Sequence, residues 1–123
     1  MKKKYDFPIA IDWEYLFEKY PNEKLVSKFG KTTTKRFQIL EKLLKENGYE
    51  FVLFFVKGTD VLQHHLWNEK ELILDYYKTV DNNIHHLMEK FEFRDVIIFS
   101  DHGFGAWPQY CFHGNACSGR KDT

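Results

Sequence analysis

Phe51-Val52-Leu53-Phe54-Phe55-Val56 is followed by Lys57-Gly58-Thr59-Asp60-Val61-Leu62-Gln63-His64-His65. Six apolar residues without polar alternation suit a strand buried on both faces, as parallel strands are. The polar cluster that follows would then lie just beyond a strand's carboxyl end, where open parallel sheets place their ligands. The pattern recurs downstream, where Val96-Ile97-Ile98-Phe99 leads into Ser100-Asp101-His102-Gly103-Phe104.

Between these runs, Leu72, Ile73, Tyr76, Val80, Ile84, Leu87 and Met88 recur at helical spacing, predicting a long helix over about 69–90. Strand, crossover helix and strand form a βαβ unit, with parallel strands and a right-handed crossover. Both polar clusters should emerge at one sheet edge. The expected fold is α/β, a fragment of an α/β/α sandwich.

Upstream, Trp13, Leu16, Phe17 and Tyr20 predict a short amphipathic helix ending before Pro21. Residues 22–30 read as a connection. Thr34 is the expected cap of a helix running to about Asn47, with Phe37, Leu40, Leu43 and Leu44 as its stripe and Gly48 as its stop. Residues 57–68 read as a loop or single turn. The expected organisation is an N-terminal segment 1–33, a βαβ core 34–110 and an irregular tail 111–123.

At 123 residues the chain holds one domain at most. Aromatic content of 18% favours a packed interior over disorder. Eighteen basic residues balance eighteen acidic ones, so no global field marks a nucleic-acid or anionic-membrane surface. Asp6, Pro8 and Asp12 interrupt what would be a signal-peptide core after the N-terminal lysines, and no run reaches membrane-spanning length. Two cysteines make no disulfide framework, and a cytoplasmic location is the expectation.

Asp60 and His64 stand four apart, so one helical turn puts both on one face within reach of one cation. A carboxylate oxygen beside an imidazole nitrogen suits Zn²⁺, Mn²⁺ or Fe²⁺. Asp101 and His102 are adjacent and share an ion only where the strand has ended and the backbone bends; Gly103 permits that bend. The bland alternatives are a surface Asp and His on a turn, and a tight turn with Asp as local acceptor.

Residues 34–105 resemble the type I phosphodiesterase/nucleotide pyrophosphatase family of the alkaline phosphatase superfamily. The matching text is Thr59-Asp60-Val61-Leu62-Gln63-His64 with Trp67, then Tyr77-Lys78-Thr79-Val80-Asp81, then Ser100-Asp101-His102-Gly103-Phe104-Gly105. The resemblance implies an alkaline phosphatase-like fold, a phosphate-ester substrate and two divalent metal ions, zinc being the usual one. It implies that Asp60 and His64 hold one metal and Asp101 and His102 the other. His65 and Trp67 are the candidates for lining a substrate pocket.

The family's nucleophile and a further metal-binding Asp precede the matched region. Too little sequence lies before residue 34 to supply both, so no catalytic nucleophile is expected in this chain. Its role would then be that of an incomplete hydrolase or of a non-catalytic metal- or partner-binding remnant. His113 is a weak candidate for a late ligand, and Cys111, His113 and Cys117 together lack a fourth ligand. Two strands alone leave open edges and uncovered apolar surface, so self-association, or complementation by a missing half, is expected.

Overall fold

The structure is a computed structural model, and residues 13–105 are described. The described residues form four helices: α1 (Trp13–Lys19), α2 (Asn22–Glu46), α3 (Gly58–Leu66) and α4 (Lys70–Lys90). Neither apolar run pairs into a ladder, and the described residues contain no strand. The expected α/β fold with a parallel βαβ unit is therefore corrected to a helical architecture over this range.

The reason lies in what each element can satisfy by itself. A helix closes its hydrogen bonds locally, whereas a strand needs a neighbouring backbone. The described chain offers two apolar runs, and a two-stranded pairing is marginal in water. The helices carry the core instead. Phe51, Leu53, Phe55, Ile97, Ile98 and Phe99 stay exposed, Phe51 at 81% and Ile97 at 82%.

Helix α2 is far longer than the predicted helix from Thr34. Leu25, Phe29, Thr33 and Phe37 repeat every fourth residue and are all buried, so the apolar stripe begins well before Thr34. Pro21 precedes the helix with φ −62°, ψ 153°, and its carbonyl accepts from the Leu25 amide at 3.0 Å. Proline needs no amide partner there, which makes it tolerable at a helix start. Thr34 sits inside the helix, where its hydroxyl accepts from Asn83 Nδ2 at 3.0 Å. The helix ends at Asn47, whose extended backbone (φ −138°, ψ 141°) stops the turn one residue before Gly48.

The stretch expected as a loop or turn after Val56 is helix α3, which buries Val61, Leu62 and Leu66. Helix α4 matches its expected span and buries Ile73, Tyr76, Val80 and Leu87. All of these side chains except Leu87 join Leu25, Val26 and Phe29 in one core cluster, with Phe17 of α1 packed against it.

Besides the Asn83–Thr34 bond, two polar connections join α2 to α4. In the core, the Thr33 and Tyr76 hydroxyls are 2.7 Å apart. At the far end, the Glu41 carboxylate of α2 receives Lys45 of its own helix and His86 and Lys90 of α4. Hydrogen bonds from Lys45 first, and Lys90 next, hold the Glu41 carboxyl down at about 2.

Candidate functional site

Helix α3 turns the spacing of Asp60 and His64 into contact: His64 Nε2 lies 3.2 Å from Asp60 Oδ1. Asp60 is in the first turn of α3, where a carboxylate is favoured by the unpaired amides and the helix dipole. Thr59 anchors the same turn by donating from Oγ1 to the Val56 carbonyl at 3.3 Å.

The second cluster arrives from the far end of α4. His102 Nε2 lies 3.8 Å from Asp60 Oδ1 and 3.7 Å from Asp101 Oδ1. Asp60, His64 and His102 therefore converge, and Asp101 joins them through His102. The Asp101 side chain is 72% exposed, against 34% for Asp60, so Asp101 forms the outer rim.

Asp60 Oδ1 is sealed from solvent and has no hydrogen-bond partner. The His64 nitrogen is close enough for an ion pair, yet not aligned for a hydrogen bond. A buried carboxylate oxygen without a donor is costly, and a bound cation is one way of satisfying it.

The His102 ring is oriented by its own backbone. Nδ1 is 2.8 Å from the Gly103 carbonyl oxygen, which can only accept, so Nδ1 carries the proton. When neutral, His102 presents the Nε2 lone pair toward Asp60, and a backbone carbonyl that accepts from the other ring nitrogen commonly fixes the tautomer of a metal-binding histidine. The Gly103 carbonyl first, and the Asp101 carboxylate next, raise the His102 pKa above its ordinary value.

Among the described residues, no three His, Cys, Asp or Glu side chains form a ready metal-binding group. The donor set fits a divalent cation in chemistry, through an orphaned carboxylate oxygen and two imidazoles. It is not assembled into full coordination.

The two pocket candidates separate. His65 stacks on Phe17 of α1, with ring centroids 3.6 Å apart and planes inclined by 19°, which ties it to the helical packing. Trp67 stays beside the cluster, 5.0 Å from the Phe104 ring, with the Lys70 ammonium 3.3 Å from its own centroid. Phe104 also meets His64 edge-on at 4.9 Å. Reading the sequence assigned Phe104 no role. Its place directly after Asp101-His102-Gly103 was the available signal, because a chain returning toward α3 must set an apolar residue against it. Cys111, His113 and Cys117 lie outside the described residues.

A family model described as type I phosphodiesterase / nucleotide pyrophosphatase matches residues 4–122. The chain belongs to this family, which is that of phosphodiesterase- and pyrophosphatase-type hydrolases and is generally metal-dependent. No curated protein and no solved structure gives a significant match. No helix among the described residues is long and apolar enough to cross a membrane.

Proposed function

We propose that this chain carries the metal-binding part of a phosphoric ester hydrolase, with Asp60 and His64 holding one divalent cation and Asp101 and His102 a second. Zinc is the proposed metal, because it accepts a mixed carboxylate–imidazole set. Family membership supports the reaction class. The observation that carries the site is the buried, unpartnered Asp60 Oδ1 with two imidazole Nε2 atoms 3.2 and 3.8 Å away.

Bound divalent cations supply Lewis acidity toward a phosphoryl oxygen. The chain's own contributions are positional. Helix α3 presents Asp60 and His64 together, the Gly103 carbonyl fixes the His102 tautomer, and Trp67 and Phe104 place a pair of aromatic rings beside the cluster.

The proposal includes a division of labour, in which the nucleophile comes from a segment outside the described residues. The hydroxyls nearest the cluster in sequence are occupied. Thr59 donates to the Val56 carbonyl, and Ser100 donates to the His102 carbonyl. Those two bonds also favour the second reading, a metal- or partner-binding module without turnover.

Zinc titration by calorimetry, with and without Asp101→Asn, tests the site. The expected result is saturable binding that the substitution weakens about tenfold or more. Equal affinity in both proteins would remove the assignment. Assay of an aryl phosphodiester separates the two readings, since the isolated chain should bind zinc with little turnover.

A further inference from the structure

Helix α2 stops on a pair of residues with chemistry of its own. Asn47-Gly48 is the one Asn-Gly pair in the sequence. Asn47 is the C-cap, with an extended backbone (φ −138°, ψ 141°), and both residues are exposed. The Leu43 carbonyl accepts twice from Asn47, from its backbone amide at 3.1 Å and from its side-chain Nδ2 at 3.0 Å. Neither bond holds the peptide unit that follows. The Gly48 amide donates to no backbone carbonyl among the described residues, and a Cβ at Gly48 would meet nothing within 4 Å.

The other asparagines of the described residues are placed differently. Asn22, Asn68, Asn82 and Asn83 are followed by Glu23, Glu69, Asn83 and Ile84, each of which carries a side chain. Asn82 and Asn83 lie inside α4, where helical hydrogen bonds hold the amides that follow them. The Glu69 amide after Asn68 donates to the Leu66 carbonyl at 2.8 Å. Glycine lacks the Cβ that would crowd its own nitrogen, and its backbone rotates more freely than that of any other residue.

We infer that Asn47 is a site of spontaneous covalent modification, with its side-chain carbonyl as electrophile and the Gly48 amide nitrogen as nucleophile. The Gly48 nitrogen attacks Asn47 Cγ. The new N–C bond closes a succinimide ring, the Cγ–Nδ2 bond breaks, and ammonia departs with the proton that the Gly48 nitrogen gives up. Water then opens the ring at either carbonyl. One opening leaves aspartate, and the other leaves isoaspartate, in which the main chain runs through Cγ.

Both products differ from the parent where α2 stops. Aspartate loses the Nδ2–H donor to Leu43 and sets a negative charge at the carbonyl end of the helix, where the dipole disfavours it. Isoaspartate adds a methylene to the backbone of the connection that carries residues 51–56 and leads into α3. Modification therefore loosens the join between α2 and the helix that bears Asp60 and His64. The inference rests on no metal bound at that helix.

The test is incubation of the full-length chain in mildly alkaline buffer at physiological temperature, followed by mass analysis of its tryptic peptides. Residues 46–57 form one such peptide, in which Asn47 is the only side-chain amide. Residues 79–90 form another, which carries Asn82 and Asn83 and serves as the comparator. The first peptide should take on the mass of the acid about tenfold faster than the second, or faster still. Isoaspartate, read by electron-transfer fragmentation, should accumulate beside aspartate. Gly48→Val, for which the structure has room at Cβ, should slow the conversion about tenfold. Asn47→Asp should lower the midpoint of thermal unfolding, and an unchanged midpoint would overturn the loosening of the join. The modification itself is overturned if the two peptides convert at one rate, or if Gly48→Val converts as fast as the parent.

Discussion

The Tyr76 hydroxyl of α4 sits 2.7 Å from the Thr33 hydroxyl of α2, directly beneath Gly58 at the start of α3. One phenol thus ties three helices together at the end of the cluster-bearing element. Tyr76 is 1% exposed, and burial raises its pKa above the ordinary value, so the group stays neutral and hydrogen-bonded.

Gly58 has no space for a side chain, because a Cβ would overlap the Tyr76 ring and hydroxyl. Gly58→Ala should destabilise the fold by about 1–3 kcal/mol, the usual range for overpacking. Urea denaturation measures it, and a cycle with Tyr76→Phe should show coupling between the two positions. Strict additivity would mean that the two residues do not touch.

Thr33→Val removes the partner of the buried phenol. The expected loss is about 1–3 kcal/mol, because an unsatisfied buried hydroxyl is costlier than a missing pair. Combining it with Tyr76→Phe should recover part of that loss. A double variant less stable than either single one would contradict the bond's structural role.

Glu41 gives the fold an acid-sensitive fastening. Its folded pKa of about 2 lies below the ordinary 4.5, so the unfolded chain takes up this proton first as pH falls. The stabilisation is complete above pH 4.5 and disappears as pH falls through about 2. Glu41→Gln should therefore be less stable than the parent at pH 6, with the gap closing between those two values. Thermal melts across that window read the gap directly, and a constant difference would show that the Lys45 and Lys90 ammonium groups do not act through this carboxylate.

Phe104 touches both His64 and Trp67. Phe104→Ala should lower zinc affinity about tenfold, the scale found when a supporting group is removed from a metal ligand. Helical content should not change. Calorimetry beside circular dichroism distinguishes that outcome from general unfolding.

The exposed apolar runs should drive association between copies of this chain. At roughly 150–250 Å² per aromatic side chain, the exposed Phe51, Phe55 and Phe99 alone form surface of the size that marks an interface. Sedimentation should show oligomers that Ile97→Lys with Leu53→Lys shifts toward monomer. A parent chain that stays monomeric at high concentration would refute this.

Much of the helical scaffold was legible before any coordinates. Trp13–Lys19 and Lys70–Lys90 follow from apolar residues at 3.6-residue spacing, a local property that a linear reading detects. Asp60 and His64 were placed on one helical face by the same arithmetic, and they meet at 3.2 Å. The early start of α2 was missed because Thr32-Thr33-Thr34 looks like a capping signal. Only the surrounding core shows Thr33 to be an interior residue bonded to Tyr76.

The sheet is where sequence reading and structure part. Residues 51–56 and 96–100 have strand composition, but composition expresses only a preference for a pleated, covered environment. A ladder requires a second backbone in register, and that is a tertiary fact. Sequence by itself determined the helical periodicities and the chemistry of Asp60, His64, Asp101 and His102. Tertiary structure alone decided that His102 comes to 3.8 Å from a buried Asp60 oxygen across 42 residues, and that Phe104 meets the His64 ring edge-on. Each of these depends on how separate helices pack, because the distance between groups on different elements is set by side-chain volumes in the core, which no local pattern encodes.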